Sequence, residues 1–273
     1  MKIITDKQEL QNITKNTTKT VGFVPTMGAL HEGHISLIKK AREENELVIV
    51  SIFVNPTQFL AGEDFAKYPK RDIADKKICE LAGVDILFMP NITMMYKEDE
   101  VTIKAPNIRG FVLDGFKRPT HFEGVLQIVL KLFNLVRPTN AYFGRKDAQQ
   151  VILIKQMVDN LFLPINVIDC PLIRDSNGLA LSSRNAYLSE EEKEEALKIS
   201  RSLQNATKLI VAGNLGINEI KKVMMETLEG IDVEYIEIVS RELLQMKQIE
   251  LKNTIILVAV KIGSTRLIDN IWI

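Results

Sequence analysis

Short apolar runs alternate with amphipathic stretches over the first 172 residues of the chain. TVGFVPT (20–26), LVIVSIFVN (47–55), DILFMP (85–90), AYFG (141–144) and INVIDCP (165–171) are rich in β-branched and aromatic residues and too short for helices, so they predict strands. Between them HISLIKKAREEN, RDIADKKICELAG, FEGVLQIVLKLFNLV and DAQQVILIKQMVDNLF carry apolar residues at helical spacing. In the last, Val151, Ile154, Val158 and Leu161 make one stripe expected to face a sheet. This alternation predicts a Rossmann-like α/β fold: a mostly parallel sheet with helices on both faces.

The regime changes after Pro171. RDSNGLALSSRN is small and polar, SEEEKEEALKISRSLQNATKLIVAG is a charged helix, and a further helical stretch runs to Gly230. VEYIEIVS, TIILVAVKI and TRLIDNIWI then read as strands. Helices followed by strands predict a smaller α+β unit. The expected domains are 1–174 and 175–273, the second acting as a lid with the LALSSRN loop at its start.

A length of 273 residues suits one large and one small domain. The 35 basic side chains balance the 35 acidic ones, so no net field draws the chain to nucleic acid or membrane. The greasiest stretch, VLQIVLKLFNLV, is broken by Lys131 and Asn134 well short of a membrane span. Cys79 and Cys170 lie far apart, outside any C-x-x-C pair, which supports neither a disulfide framework nor a thiolate zinc site. The expectation is a cytoplasmic protein.

Two of the three histidines, His31 and His34, stand in PTMGALHEGH, between the first long strand and its helix. In an open α/β sheet that position borders the ligand crevice. Gly28 and Gly33 would let a polyphosphate approach backbone N–H groups, with the positive end of the helix aimed at the anion. The same histidines also fit a capping or surface role. H-E-G-H lacks the spacing of a zinc-binding H-E-x-x-H, and no Walker A loop occurs.

H-x-G-H after the first strand of such a fold resembles the signature of the nucleotidyltransferase superfamily that includes class I aminoacyl-tRNA synthetases. LALSSRN (179–185) is similar to that group's second, mobile motif. PTMGALHEGH, FVNPTQF (53–59), RPTHFEGV (118–125), FGRKDAQQ (143–150), LALSSRN and STRLIDNI (264–271) together resemble the successive blocks of the pantothenate synthetase family. That resemblance implies ATP-dependent condensation of pantoate with β-alanine through an enzyme-bound pantoyl adenylate, in a homodimer. Pyrophosphate and then AMP would leave.

The resemblance assigns His31, His34, Lys146, Ser182, Ser183 and Arg184 to catalysis as donors to the triphosphate. It also places Met27, Gly28, Gly144, Asp147, Ile173 and Leu181 around ATP. Pantoate would meet Gln58, Gln150, Asn55, Met27 and Pro25, the amides serving its carboxylate and hydroxyls and the last two its dimethyl group. Arg118 is a candidate for the β-alanine carboxylate, and Asp75 for Mg²⁺. Each has a plainer role open to it: Lys146 as a solvated lysine, Asp147 as a helix cap, Asn55 as a strand terminator, Arg118 as a surface residue. Asp72 is an alternative to Asp75. Two other functions remain: adenylation of another small acid or a phosphomonoester, and nucleotide binding without turnover.

Overall fold

The β-branched runs form strands, and their alternating side chains cover both faces of one sheet. The structure, a computed structural model, describes residues 1–273. Two compact units arise, one of Met1–Arg145 with Gln150–Pro171, the other of Lys146–Gln149 with Leu172–Ile273. Lys146–Gln149, which the sequence placed before the domain boundary, group with the second unit.

In the first unit β1 (Lys2–Ile4), β2 (Val21–Thr26), β3 (Leu47–Ile52), β4 (Ile86–Phe88), β5 (Asn140–Gly144) and β6 (Asn166–Cys170) form a parallel sheet in the order β1-β4-β3-β2-β5-β6. Period-two alternation sorts the side chains. Phe23, Ile49 and Phe88 join Leu10 of α1 (Lys7–Asn16), Val125, Val129 and Phe133 of α6 (His121–Val136), and Val151 and Ile154 of α7 (Ala148–Asn160). Val24, Val48, Val50, Leu87 and Tyr142 face the other way, onto Leu37, Ile38 and Ala41 of α2 (Glu32–Glu44) and Cys79 of α3 (Asp72–Leu81).

Several boundaries differ from expectation. The strand predicted at 47–55 stops at Ile52: Phe53 N–H still reaches Thr26 O at 3.0 Å, and then Pro56 and the turn it opens draw the chain away. Leu161 leaves the α7 stripe exposed, since that helix ends at Asn160. The short β1, α1, α4 (Ile92–Met95) and α5 (Leu113–Lys117) were not anticipated. No helix is long and apolar enough to cross a membrane.

One sequence detail opens the centre of this sheet. Thr139 donates its N–H to Val21 O, so the odd residues of β2 turn their polar groups toward β5. The two strands pair at Gly22↔Asn140 and Phe23↔Ala141 and then part. The next odd residue is Pro25, which has no N–H to donate. Strand β5 continues alongside β6 as far as Gly144↔Cys170. A crevice therefore starts between β2 and β5 at their carboxyl ends, where the strand order reverses.

In the second unit β7 (Asp232–Ser240), β8 (Thr254–Ile262) and β9 (Thr265–Trp272) form an antiparallel sheet with β8 central. Ile256, Val258, Val260 and Ile262 lie against α8 (Glu190–Val211) and α9 (Ile217–Thr227) through Leu203, Ile220 and Met224. Ser189 and Glu192 close a reciprocal cap at the start of α8. Residues 172–181 fold back as a hairpin, with Leu181 N–H on Ile173 O and Asp175 N–H on Leu179 O.

Candidate active site

The turn between β2 and α2 is closed by side chains. Gly28 and Ala29 are both left-handed, with φ of 84° and 49°. Thr26 Oγ1 accepts from Gly28 N–H at 3.2 Å, and the two oxygens of Asp75 accept from Ala29 and Leu30 N–H at 2.8 Å each. His34 Nδ1 accepts from His31 N–H at 3.3 Å, and His31 Nδ1 accepts from Gly33 N–H at 3.2 Å. The histidines thus form a capping box at the start of α2, with ring centroids 4.2 Å apart.

This corrects the expected phosphate cradle. The N–H groups of Gly28, Ala29, Leu30, His31 and Gly33 are already engaged, so an anion has no open backbone nest there. The glycines serve the clasp instead: a Cβ on Gly28 would sit 3.0 Å from Asp75 Oδ2, and one on Gly33 2.9 Å from His31 Cε1. What the turn offers is imidazole. An Nδ1 that accepts a backbone N–H carries no proton, which places the proton of each neutral ring on Nε2 as a donor.

Asp75 is likewise not a magnesium ligand. It is 1% exposed, on the first turn of α3, and both oxygens bind backbone amides. No group of three His, Cys, Asp or Glu side chains is placed to hold a metal ion.

Gln58 lies on the short turn after β3, where its Nε2 donates to Met27 Sδ at 3.1 Å and its Oε1 accepts from Asn55 Nδ2 at 3.1 Å. Asn55 is buried. It also donates to Gly124 O at 3.1 Å and accepts from Tyr96 Oη at 2.6 Å and Thr57 Oγ1 at 3.1 Å. With its amide so committed, Asn55 braces Gln58. Pro25 and Met27 are half-buried at the end of β2, and Gln150 is half-buried on the first turn of α7.

Arg118 does not present its charge to a β-alanine carboxylate. Its side chain is 13% exposed and makes a two-point ion pair with Glu63, Nε to Oε1 and Nη2 to Oε2, each 2.6 Å. It also donates to Gln58 O at 3.3 Å and to His121 Nε2 at 3.1 Å. Burial raises the Glu63 carboxyl, but Arg118 outweighs that and holds it below the usual carboxylate range. His121 donates from Nδ1 to Gln58 O at 2.7 Å. Burial and the neighbouring guanidinium push its pKa down to about 4, so the ring is neutral.

In the second unit Lys146 sits in the turn before α7, its ammonium 3.5 Å from Asp147 Oδ1, and Asn270 Nδ2 donates to Lys146 O at 2.8 Å. Asp147 ends that turn and stands immediately before α7. Ser182 caps the turn Ser183–Tyr187, its Oγ accepting from Arg184 N–H at 3.2 Å. Ile173 and Leu181 pair at the mouth of the hairpin. Arg174 anchors the hairpin to β9 by a two-point ion pair with the buried Asp269, at 2.6 and 2.9 Å. Gly144 ends β5 in the first unit, and a Cβ there would meet nothing within 4 Å.

A family model described as pantoate-beta-alanine ligase matches residues 2–272. The chain belongs to the pantoate-beta-alanine ligase family. It is similar to the pantothenate synthetase of Aliarcobacter butzleri, 57% identical over the full length of both. Among solved structures it is similar to pantothenate synthetase from Thermus thermophilus, with a TM-score of 0.95 and 38% identity, covering 100% of this chain and 99% of that one. The ligase from Francisella tularensis, solved with beta-gamma ATP and beta-alanine, gives a TM-score of 0.84 and 38% identity over 100% and 97% of the two chains.

As a member of this ligase family the protein forms an amide bond at the expense of ATP. Three residues of its framework escaped the sequence reading: Glu63, Arg174 and Asp269. The last two stand in or beside the LALSSRN and STRLIDNI blocks, so the blocks pointed to them without giving their roles.

Proposed function

We propose that this ligase joins pantoate to β-alanine through pantoyl adenylate. The pantoate carboxylate attacks the α-phosphorus of ATP and pyrophosphate leaves. The β-alanine nitrogen then attacks the acyl carbonyl, loses a proton, and AMP departs. No enzyme nucleophile is needed, because an aligned carboxylate attacks directly and catalysis rests on positioning and charge stabilisation.

The observation that carries this reading is the histidine pair. Pinning both Nδ1 atoms with backbone amides fixes two Nε2–H donors side by side, suited to charge developing on phosphate oxygens. Lys146, Ser182, Ser183 and Arg184 add cations and hydroxyls. Met27, Gly28, Asp147, Ile173 and Leu181 complete the proposed ATP set, with Gly144 leaving room for adenosine. Gln58 and Gln150 hold pantoate, against Pro25 and Met27 and with Asn55 as support. The Gln58 amide now donates to a thioether, a weak acceptor that a carboxylate or hydroxyl displaces at little cost.

ATP chemistry implies Mg²⁺, and no group of three His, Cys, Asp or Glu side chains is placed to hold it. Within this reading the ion is held by the nucleotide's phosphates and water. Cytoplasmic location and a homodimer belong to the same proposal. Both cysteines are buried and free, and Val101, Ile108, Phe111 and Phe116 leave apolar surface on the first unit.

Pyrophosphate–ATP isotope exchange tests the route. Exchange should require pantoate and proceed without β-alanine. Lys146→Ala and His34→Ala should each lower it by about 10²-fold, as removal of a transition-state donor does. Exchange independent of pantoate would overturn the adenylate.

A further inference from the structure

We propose that Asp75 is a positioning residue for the reaction: its carboxylate holds the 28–31 turn and thereby aims the two imidazoles. This rests on the reading of His31 and His34 as phosphate donors. Left-handed glycine is ordinary, but a left-handed alanine directly after it is unfavourable unless its surroundings impose it. Asp75 supplies that constraint from α3, 45 and 46 residues away, through one oxygen on each of two successive N–H groups.

The carboxylate sits on the first turn of α3, where the helix's positive end favours it, and it is almost wholly buried. Bonds that a backbone N–H donates to a carboxylate are the stronger kind. Once Leu30 N–H is held, the next N–H, that of His31, falls to His34 Nδ1, and the reciprocal bond from Gly33 N–H to His31 Nδ1 closes the box. Asp75 thus acts through the tautomer and aim of both rings while touching neither reacting group.

Asparagine discriminates this role from simple core filling. Asp75→Asn keeps the volume but offers one acceptor, and its amide NH₂ must face the other backbone N–H. The probe is ¹⁵N-labelled full-length protein, whose three histidines give separable imidazole signals. His121 is recognised by its pKa of about 4.

In the wild type His31 and His34 should be unprotonated at Nδ1 and protonated at Nε2, and the Ala29 and Leu30 amides should exchange slowly with solvent. In Asp75→Asn that protection should be lost and the two tautomers should mix. The kcat of pantoate-dependent exchange should fall about 10²-fold with the KM for pantoate within about twofold. Unchanged imidazole signals, or kcat within about threefold of wild type, would overturn the proposal. If Asp75→Asn does not fold, fast exchange of the Ala29 and Leu30 amides in the wild type, or protonated Nδ1 atoms, would overturn it and the opposite result would support it. Undiminished exchange in His34→Ala would instead overturn the donor role of the histidines and leave the tautomer measurement standing as the test of the clasp.

Discussion

The histidine turn of the first unit and the serine hairpin of the second are fastened in opposite ways. In the turn the backbone N–H groups of Gly28, Ala29, Leu30, His31 and Gly33 are claimed by side chains, and the decisive one, Asp75, arrives from another helix. The hairpin at 172–181 is knitted by partners within itself, main-chain bonds together with Asp175 Oδ1 accepting from Asn177 and Leu179 N–H at 2.9 Å each, with Ser182 bonding two residues ahead and Asn185 Nδ2 reaching back to Ala180 O at 3.0 Å. Its long-range anchor is the Arg174–Asp269 pair. A loop stitched by many acceptors takes its shape from the surrounding fold. A self-knitted hairpin brings its shape with it and depends on the strength of its tether.

The largest effect that sharpens this contrast is expected at that tether. Asp269 is 3% exposed, and burial pushes its carboxyl above the usual range against the pull of Arg174. Arg174→Ala would strand a buried acid, a loss of about 3–5 kcal/mol when one partner of a buried pair is removed. Trp272 is the only tryptophan and lies in β9, so its fluorescence during urea unfolding reports the second unit. A change below about 1 kcal/mol, as for a solvent-exposed pair, would mean that the tether does not hold the hairpin.

A smaller effect probes the first unit, through the carbonyl of Gln58. His121 has an ordinary pKa of 6.5 lowered to about 4, with burial the main cause and Arg118 second. Between those values the unfolded chain takes up a proton that the folded chain refuses, so stability rises with pH across the window. It is fully present above 6.5 and drains as pH falls toward 4. At pH 5 the loss from this ring should be about 2 kcal/mol, at about 1.4 kcal/mol per pH unit. His121→Gln should flatten that segment of the profile, measured by circular dichroism in urea. A profile as steep as that of the wild type would remove His121 from the clamp on Gln58.

The same contrast between local and distant partners explains how far the sequence could be read. Strands emerged from β-branched runs, and α8 from an amphipathic pattern whose S-E-E-E opening closes its own cap, because those signals are complete within a few residues. The place of His31 and His34 was legible for the same reason. The partners of Asp75 and Arg118 were not. An acid near Tyr68-Pro69 and an arginine beside a proline advertise charge, while the amides and the Glu63 carboxylate that neutralise them lie 45 to 55 residues away. Residue type suggested ligand binding, and only the folded chain shows the charge already taken up. The three-residue β1 fell below any periodicity.

Two glycines carry the comparison to its smallest predicted change in stability. At Gly124 a Cβ would stand 2.2 Å from Thr57 O and 2.7 Å from Gln58 N, so packing of α6 on the Gln58 turn forbids a side chain there. At Gly144 a Cβ would meet nothing within 4 Å, and φ is not left-handed. Neither packing nor backbone conformation demands glycine at that strand end. If the space belongs to adenosine, Gly144→Ala should leave the fold intact or stabilise it by about 0.4–1 kcal/mol through the unfolded chain. The KM for ATP should nevertheless rise by about tenfold, since an added methyl obstructs a close-packed ligand at a cost of about 1–3 kcal/mol. Thermal unfolding and isotope exchange on the one variant give both numbers. An unchanged KM for ATP would show that nothing in the reaction uses the space at Gly144.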